Sequence, residues 1–499
     1  MELPLEFREY AAAALGDEIA GELCANIESH EELTSVRVNP FKGISLEGAF
    51  KGASGDASQG EPGEASCGAS YGALEGGGIA TEPVQWSALG HYLSSRPVFT
   101  LDPLFHAGGY YVQEASSMYM ELVKDAIEKD YSSREDACEG GFFAHKLAAL
   151  DLCAAPGGKS THLASLLGED SLLVSNEVIK SRAVILADNI AKWGRENVVV
   201  TNNDPADFGA FDELFDLVVV DAPCSGEGMF RKSDDATEQW SEANVMMCAE
   251  RQWEILQNAF EALACGGLLI YSTCTFNHFE DEDILLKAME CWGEELCEAE
   301  PIAVGEDWNV VCGRVGVFQT FRFFPHRVKG EGMFMAVARK AGTSSKRRQL
   351  KSRRQIIAAV DKRSAEELGR WVREPEGMKF FAAGDMLYGC RKVHYGDIEA
   401  LSGVLSVIYS GVAMGQIFKN KLKPDGALAL YVGLNRDAVE CREVGEEDVL
   451  KFLRKQDISA ENFAEGINLA LHNGQALGFV KRIGARVNNM YPNSLRILK

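Results

Sequence analysis

The stretch from residue 146 to about 275 constrains this chain most, because five short apolar runs there alternate with segments of helical character. The runs are "KLAALDL", "LLVSNEV", "NVVVTNN", "FDLVVVDAP" and "GGLLIYSTCT". Helix candidates such as "IKSRAVILADNIAKWG" and "NVMMCAERQWEILQNAFEALACGG" separate them. Apolar strands joined by helical crossovers predict a doubly wound α/β fold with a parallel sheet, whose ligand sites lie at the carboxyl ends of the strands. The later runs "VGVFQTFRFFPH" and "GEGMFMAVARK" predict two more strands that complete the sheet at its edge.

Other modules flank this core. An amphipathic helical stretch, "LEFREYAAAALGDEIAGELCANI", and a strand-like "TSVRVNPFKG" suggest a small N-terminal α/β module over residues 1–99, expected to bind RNA. It is interrupted at about 50–80 by a Gly/Ala/Ser-rich insertion with no hydrophobic period, expected to be mobile. The core is expected over 100–340 and a basic linker over 341–355. Mixed helix and strand character then suggests small domains over 356–420 and 421–499.

A net charge of -24 argues against a simple nucleic-acid coat protein, since phosphate binding needs local positive potential. An enzyme with its basic residues concentrated in one place remains open. "RKAGTSSKRRQLKSRRQ", Arg339 to Gln355, is such a place, read either as a solvated linker or as an RNA-contacting segment. The 13 cysteines form no C-x-x-C pair, so neither a zinc site nor a disulfide frame is expected. The start, "MELPLEFREY", lacks a basic stretch followed by a long apolar run, and no run approaches membrane-spanning length. A cytoplasmic protein without membrane contact is expected.

Chemistry gathers at the strand ends. The first strand runs into "DLCAAPGGKST", where Gly157 and Gly158 open a helix and let backbone approach a nucleotide-like ligand. It is neither the dinucleotide fingerprint nor the phosphate loop. Glu177 ends the second strand at a position suited to ribose hydroxyls, Asp204 follows the third and can meet an adenine amino group, and Asp221 ends the fourth. Acids at successive strand ends beside a Gly-rich loop describe a ligand with an adenosine and a cationic or amino-bearing portion, which S-adenosylmethionine fits. Cys224 and Cys274 lie just past the ends of neighbouring strands, which suggests a nucleophile and a partner in one crevice.

The motifs "DLCAAPGGKSTHLA", "VVVDAPCSGEGMFRK" and "YSTCTFN", in this order, closely resemble those of the Sun family of RNA cytosine-5 methyltransferases. The resemblance continues in "SVRVNPFKG", "PLFHAGGYYVQEASSM" and "FFPHRVKGEGMFMAVARK". The "HAGGYYVQEASSM" block and the "GEGMFRK" form look most like the bacterial RsmF (YebU) branch, which acts on small-subunit ribosomal RNA. The tail "GQALGFVKRIGARVNNMYPNSLRIL" is similar to that branch's PUA-like RNA-binding end. The insertion near 50–80 is outside the family pattern.

The resemblance implies a Rossmann-like class I methyltransferase domain with an α+β PUA-like region. It also implies S-adenosylmethionine as cofactor and Cys274 as the nucleophile, with Cys224 assisting product release. Cys153, Ala154, Ala155, Pro156, Gly157, Gly158 and Lys159 would surround the methionine and ribose, Glu177 the ribose hydroxyls and Asp204 the adenine. Asp221 would lie between cofactor and base, and by holding or sharing a proton could hydrogen-bond the ring nitrogen where charge develops. Lys159 either tunes a thiol or orients the base, or is a surface lysine. The implied partner is 16S ribosomal RNA within the small subunit, bound by a monomer, with no DNA. Arg231, Lys232, Arg322, His326, Arg327 and the basic linker are candidate RNA contacts, each alone reading more simply as solvent-exposed. The same chemistry on tRNA, or an assembly factor that keeps the fold without turnover, are the alternatives.

Overall fold

A computed structural model of the chain describes residues 3–29, 33–44, 79–132, 146–209, 211, 213–342 and 354–498. The Gly/Ala-rich insertion and most of the basic linker lie outside these residues.

The N-terminal sheet is antiparallel, formed by β1 (Thr34–Val38), β2 (Thr81–Pro83), β3 (Gly90–Leu93) and β4 (Tyr110–Val112) in the order β2-β3-β1-β4. It extends past residue 99, where the module was expected to end, because Val36 pairs with Val112.

The central strands are β5 (Ala148–Asp151), β6 (Leu172–Asn176), β7 (Val198–Thr201), β8 (Phe215–Asp221), β9 (Leu263–Thr273), β10 (Leu296–Cys297), β11 (Val311–Val315), β12 (Phe318–Phe323) and β13 (Met333–Lys340). Their order is β11-β12-β13-β9-β8-β5-β6-β7, with β10 pairing beside β13. Within the run β9-β8-β5-β6-β7 each adjacent pair is parallel; from β9 outward through β13, β12 and β11 each adjacent pair is antiparallel. The two later strands do extend the sheet, and β11 covers the edge expected of them. Side chains alternate between two cores. Ala149, Leu173, Leu217 and Val219 face one, while Leu150, Val174, Val218 and Val220 face the other beside the helix Glu242–Ala262. That two-sided burial is why the strands read as continuous apolar runs.

Downstream strands are β14 (Ala358–Ala359), β15 (Met378–Ala383), β16 (Met386–Arg391), β17 (Val407–Ser410), β18 (Val412–Phe418) and β19 (Lys421–Pro424). Strand β17 leaves this region and pairs antiparallel with β7 on the far edge of the central sheet. The other five form their own sheet, which passes residue 420 because β19 pairs with β18. A last sheet holds β20 (Glu440–Glu443), β21 (Gly466–His472), β22 (Gln475–Ile483) and β23 (Arg486–Asn489).

Two contacts fix the N-terminal module against the central domain. The fully buried Arg37 donates from Nε to Gln113 Oε1 at 2.7 Å and from Nη2 to Thr161 Oγ1 at 2.6 Å, and lies 4.5 Å over the Trp193 ring. Burial pulls its pKa down to about 9. The helices Leu5–Leu15 and Asp17–Glu28 bury Phe7, Leu23 and Ile27 against Phe230, Trp240 and Phe276. They thereby brace the loops that follow β8 and β9.

Candidate active site

Strand order reverses at β5, which lies between β6 and β8, so the crevice beyond its carboxyl end is the expected ligand site of such a sheet. Hydrogen bonds to its backbone hold the loop after β5. Ala154 N donates to Asn176 O at 2.8 Å, Arg182 Nη2 to Ala155 O at 2.7 Å, and Asn189 Nδ2 to Pro156 O at 2.8 Å. Gly157 has φ +114°, where a Cβ would also lie 3.1 Å from Leu186 Cδ1, so glycine is required. Gly158 then starts the helix Gly158–Leu166.

Carboxylates surround this loop. Asp151 is fully buried; Ser160 Oγ donates to its Oδ2 at 2.6 Å, while its Oδ1 is buried without a hydrogen-bond partner. Burial pushes its carboxyl up to about 7. Glu177 is buried at the end of β6, with Oε1 accepting from Ile179 N at 2.8 Å and Oε2 lying 3.4 Å from Arg182. Asp204 is exposed beyond β7 and accepts from Ala206 N at 2.9 Å, which caps the short helix Ala206–Gly209. The thiol of Cys153 is pushed well up, first by burial and then by Asp151, Asp221 and Glu177. Arg182 opposes these three carboxylates.

The ends of β8 and β9 bring the two thiols together, with Cys224 Sγ 3.2 Å from Cys274 Sγ and Cys274 N donating to Cys224 Sγ at 3.4 Å. The hydrogen bond with Cys274, then burial, raises the Cys224 thiol well above its ordinary value. Beside them, Lys159 Nζ is 2.8 Å from Asp221 Oδ1, which also accepts from Ser272 Oγ at 2.8 Å. Asp221 was expected to hold or share a proton with the base; here its Oδ1 is engaged by an ammonium and a hydroxyl. Burial works against the Lys159 charge, but Asp221, Asp151 and Cys274 hold its pKa above the ordinary value. It is no surface lysine.

Two buried glutamates, not singled out from the sequence, tie the thiol-bearing loops together. Glu280 accepts from Ser225 N at 2.9 Å, Gln252 Nε2 at 2.8 Å and Asn277 Nδ2 at 2.7 Å. Glu227 accepts from Phe276 N at 2.7 Å, Asn277 Nδ2 at 3.1 Å and Trp240 Nε1 at 3.2 Å, and burial pushes its carboxyl up to about 7. Each loop thus carries a carboxylate that grips the other. Nothing in the run "FEDED" or in "GEG" separates these acids from solvated ones.

Three proposed RNA contacts are corrected. The Arg231 side chain is buried, bonded to Glu331 at 2.9 Å and to Gly330 O. Arg322 is buried between Asp281, at 2.9 Å, and Glu282, at 2.6 Å. The His326 side chain is 6% exposed, with its ring stacked on Phe324. The two arginines are structural, since a buried cation needs a paired carboxylate; burial holds the His326 imidazole below its ordinary pKa, against cationic character. Arg327 is exposed, and so is Lys232, 3.8 Å from Glu331.

The family model for 16S rRNA methyltransferase RsmB/F matches residues 144–339. Models for the RsmF PUA domain and for the N-terminal domain of 16S rRNA methyltransferase RsmF match residues 440–497 and 69–115. Ribosomal RNA small subunit methyltransferase F of Salmonella paratyphi A is 30% identical, with 78% of each chain covered. The chain belongs to the 16S rRNA methyltransferase RsmB/F family. Another member, ribosomal RNA small subunit methyltransferase F of Aliivibrio fischeri, is 28% identical over 83% of this chain and 85% of its own. The crystal structure of NSun6 from Pyrococcus horikoshii with SFG superposes with a TM-score of 0.50 at 19% identity, covering 68% of this chain and 99% of that one, a likeness of fold. The RsmB/F match contains every strand from β5 to β12. No helix among the described residues is long and apolar enough to cross a membrane.

Proposed function

We propose that this chain methylates carbon-5 of cytosine in 16S ribosomal RNA, using S-adenosylmethionine, with Cys274 as nucleophile and Cys224 as the releasing thiol. The observation that carries the reading is the pair of thiols 3.2 Å apart beside the Lys159–Asp221 ion pair. Family membership supports the RNA substrate, and the relatives' names support the small subunit.

The residues fit the cofactor. An orphaned, buried carboxylate oxygen on Asp151, with the Asp221 and Glu177 carboxylates nearby, suits a cationic sulfonium. Residues 153–159, Glu177 and Asp204 would hold it, and when bound it supplies an electrophilic methyl group. Carbon-5 of cytosine is a weak nucleophile. The Cys274 thiolate adds to carbon-6, which makes an enamine whose carbon-5 accepts the methyl. Lys159 and Asp221 present a proton donor and an acceptor at the crevice wall where charge on the ring develops and is discharged. Removal of the carbon-5 proton to a base then restores the 5,6 double bond and expels the Cys274 thiolate. Cys224, adjacent to that sulfur, assists this last step.

The test is transfer of labelled methyl from S-adenosylmethionine to 16S rRNA, assembled small subunits and tRNA, followed by nucleoside analysis. Label in 5-methylcytidine of 16S rRNA is expected. Label in another nucleoside, or only in tRNA, overturns the reading.

Asp151 gives it a pH dependence. With its carboxyl near 7, it is neutral at lower pH and anionic above, and only the anion attracts a cation. Affinity for S-adenosylmethionine is therefore expected to rise between pH 6 and 8, and Asp151→Asn to flatten the rise. Calorimetric titration at the two pH values checks it; a flat wild-type affinity refutes it.

A further inference from the structure

Between the N-terminal sheet and the helix Lys180–Trp193 lies a cleft of about 260 Å³, lined by Arg96, Phe105, Tyr111, Asn189, Lys192 and Trp193, among others. The mechanism uses none of these side chains chemically. The aromatic wall is preorganised: the buried Phe99 and Tyr110 rings back the half-buried Phe105 ring, with centroids 6.0–6.4 Å apart. Two cations lie on it, with the Arg96 guanidinium 5.4 Å over Phe99 and Lys192 Nζ 4.7 Å over Phe105. Neither is in a salt bridge among the described residues. Lys192 is half-buried, and its pKa is lowered by burial, with Asp188 opposing. Asn189 donates to Pro156 O, so the cleft wall is bonded to the Gly-rich loop.

A purely apolar occupant would leave two cations without an anion, and a simple anion would leave the rings unused. A nucleotide uses both, since every base has a face that stacks on an aromatic ring and every phosphate attracts a cation. The cleft's volume, about 260 Å³, lies close to the lower end of the roughly 300–1,000 Å³ of small-molecule sites. An enzyme that works on a base taken out of a folded RNA necessarily meets other unstacked nucleotides close by.

We propose that this cleft binds one unstacked nucleotide of the substrate RNA other than the target cytidine, with its base on the half-buried Phe105 and Tyr111 rings and its phosphate near Arg96 and Lys192. This rests on the reading that the substrate is RNA. The cleft adds a second point of attachment beside the Gly-rich loop.

The test uses the full chain and its 16S rRNA substrate carrying 4-thiouridine, with Arg96→Gln, Lys192→Gln and the double variant beside wild type. Each single variant is expected to weaken RNA binding about 3- to 10-fold and to reduce the slope of log K against log salt by about 0.7, the share of one phosphate on a single strand. Photo-cross-links are expected at Phe105 or Tyr111 and are expected to disappear in the double variant, while affinity for S-adenosylmethionine is unchanged. Wild-type RNA affinity and salt slope in the double variant, cross-links confined to other segments, or a loss of S-adenosylmethionine affinity instead would each overturn the proposal. Full methylation by the double variant with unchanged KM removes the cleft and leaves the methyltransferase reading intact. A wild type that cross-links here but transfers no methyl does the reverse.

Discussion

Cys224→Ala is expected to leave the protein covalently joined to its RNA. Adduct formation needs only the Cys274 thiolate and carbon-6 of the base, and both remain. What is lost is the group 3.2 Å from that sulfur when the carbon–sulfur bond must break. The methylated adduct should therefore accumulate and survive denaturation, appearing on a denaturing gel as a slow band that nuclease treatment collapses. Cys274→Ala removes the nucleophile itself, so turnover should fall on the order of 10⁴-fold or more and no band should form. The double variant should behave as Cys274→Ala does. A slow band from Cys274→Ala would exchange the two roles, and the absence of a band from both single variants would remove the covalent mechanism.

Asp221→Asn is expected to lower kcat by roughly 10²–10³-fold with little change in KM for RNA. The substitution keeps the shape but discharges the partner of Lys159, 2.8 Å away, and presents an amide in place of the acceptor that Ser272 also uses. Lys159 then lacks the carboxylate that offsets its burial. A merely structural Asp221 would give a lower melting temperature and proportionate losses in RNA binding and rate. An isolated fall in kcat, measured in single turnover with saturating RNA, marks a group that acts on the reacting base. A fall of less than about tenfold would exclude that role.

The central sheet was legible because β5 to β9 are buried on both faces, and such strands announce themselves as apolar runs. The thiols and the glycine loop were legible because their residue types are unusual just after a strand. Arg231 and Arg322 were not. An arginine's sequence neighbourhood does not reveal whether its partner, here Glu331 or Asp281, lies far along the chain. Glu227 and Glu280 were missed for the same reason: they act by accepting hydrogen bonds from loops brought together only in the folded chain. Arg37 sits in a motif that the resemblance picked out, yet its contact with Trp193 needed three-dimensional placement. Strand β17 is only four residues long, and a four-residue run has no period long enough to say which sheet it joins.

That strand also sets an order of events during synthesis. Strand β7 ends at Thr201, and the segment that pairs with it begins at Val407, so the ribosome must add some two hundred residues before this edge is closed. At about 5–20 residues per second, the unpaired backbone groups of β7 wait for roughly 10–40 s. During that time the edge can pair with other nascent strands. The downstream region thus acts on the methyltransferase domain as a late-arriving cover, and removing it would uncover a strand in the half of the protein that carries the chemistry.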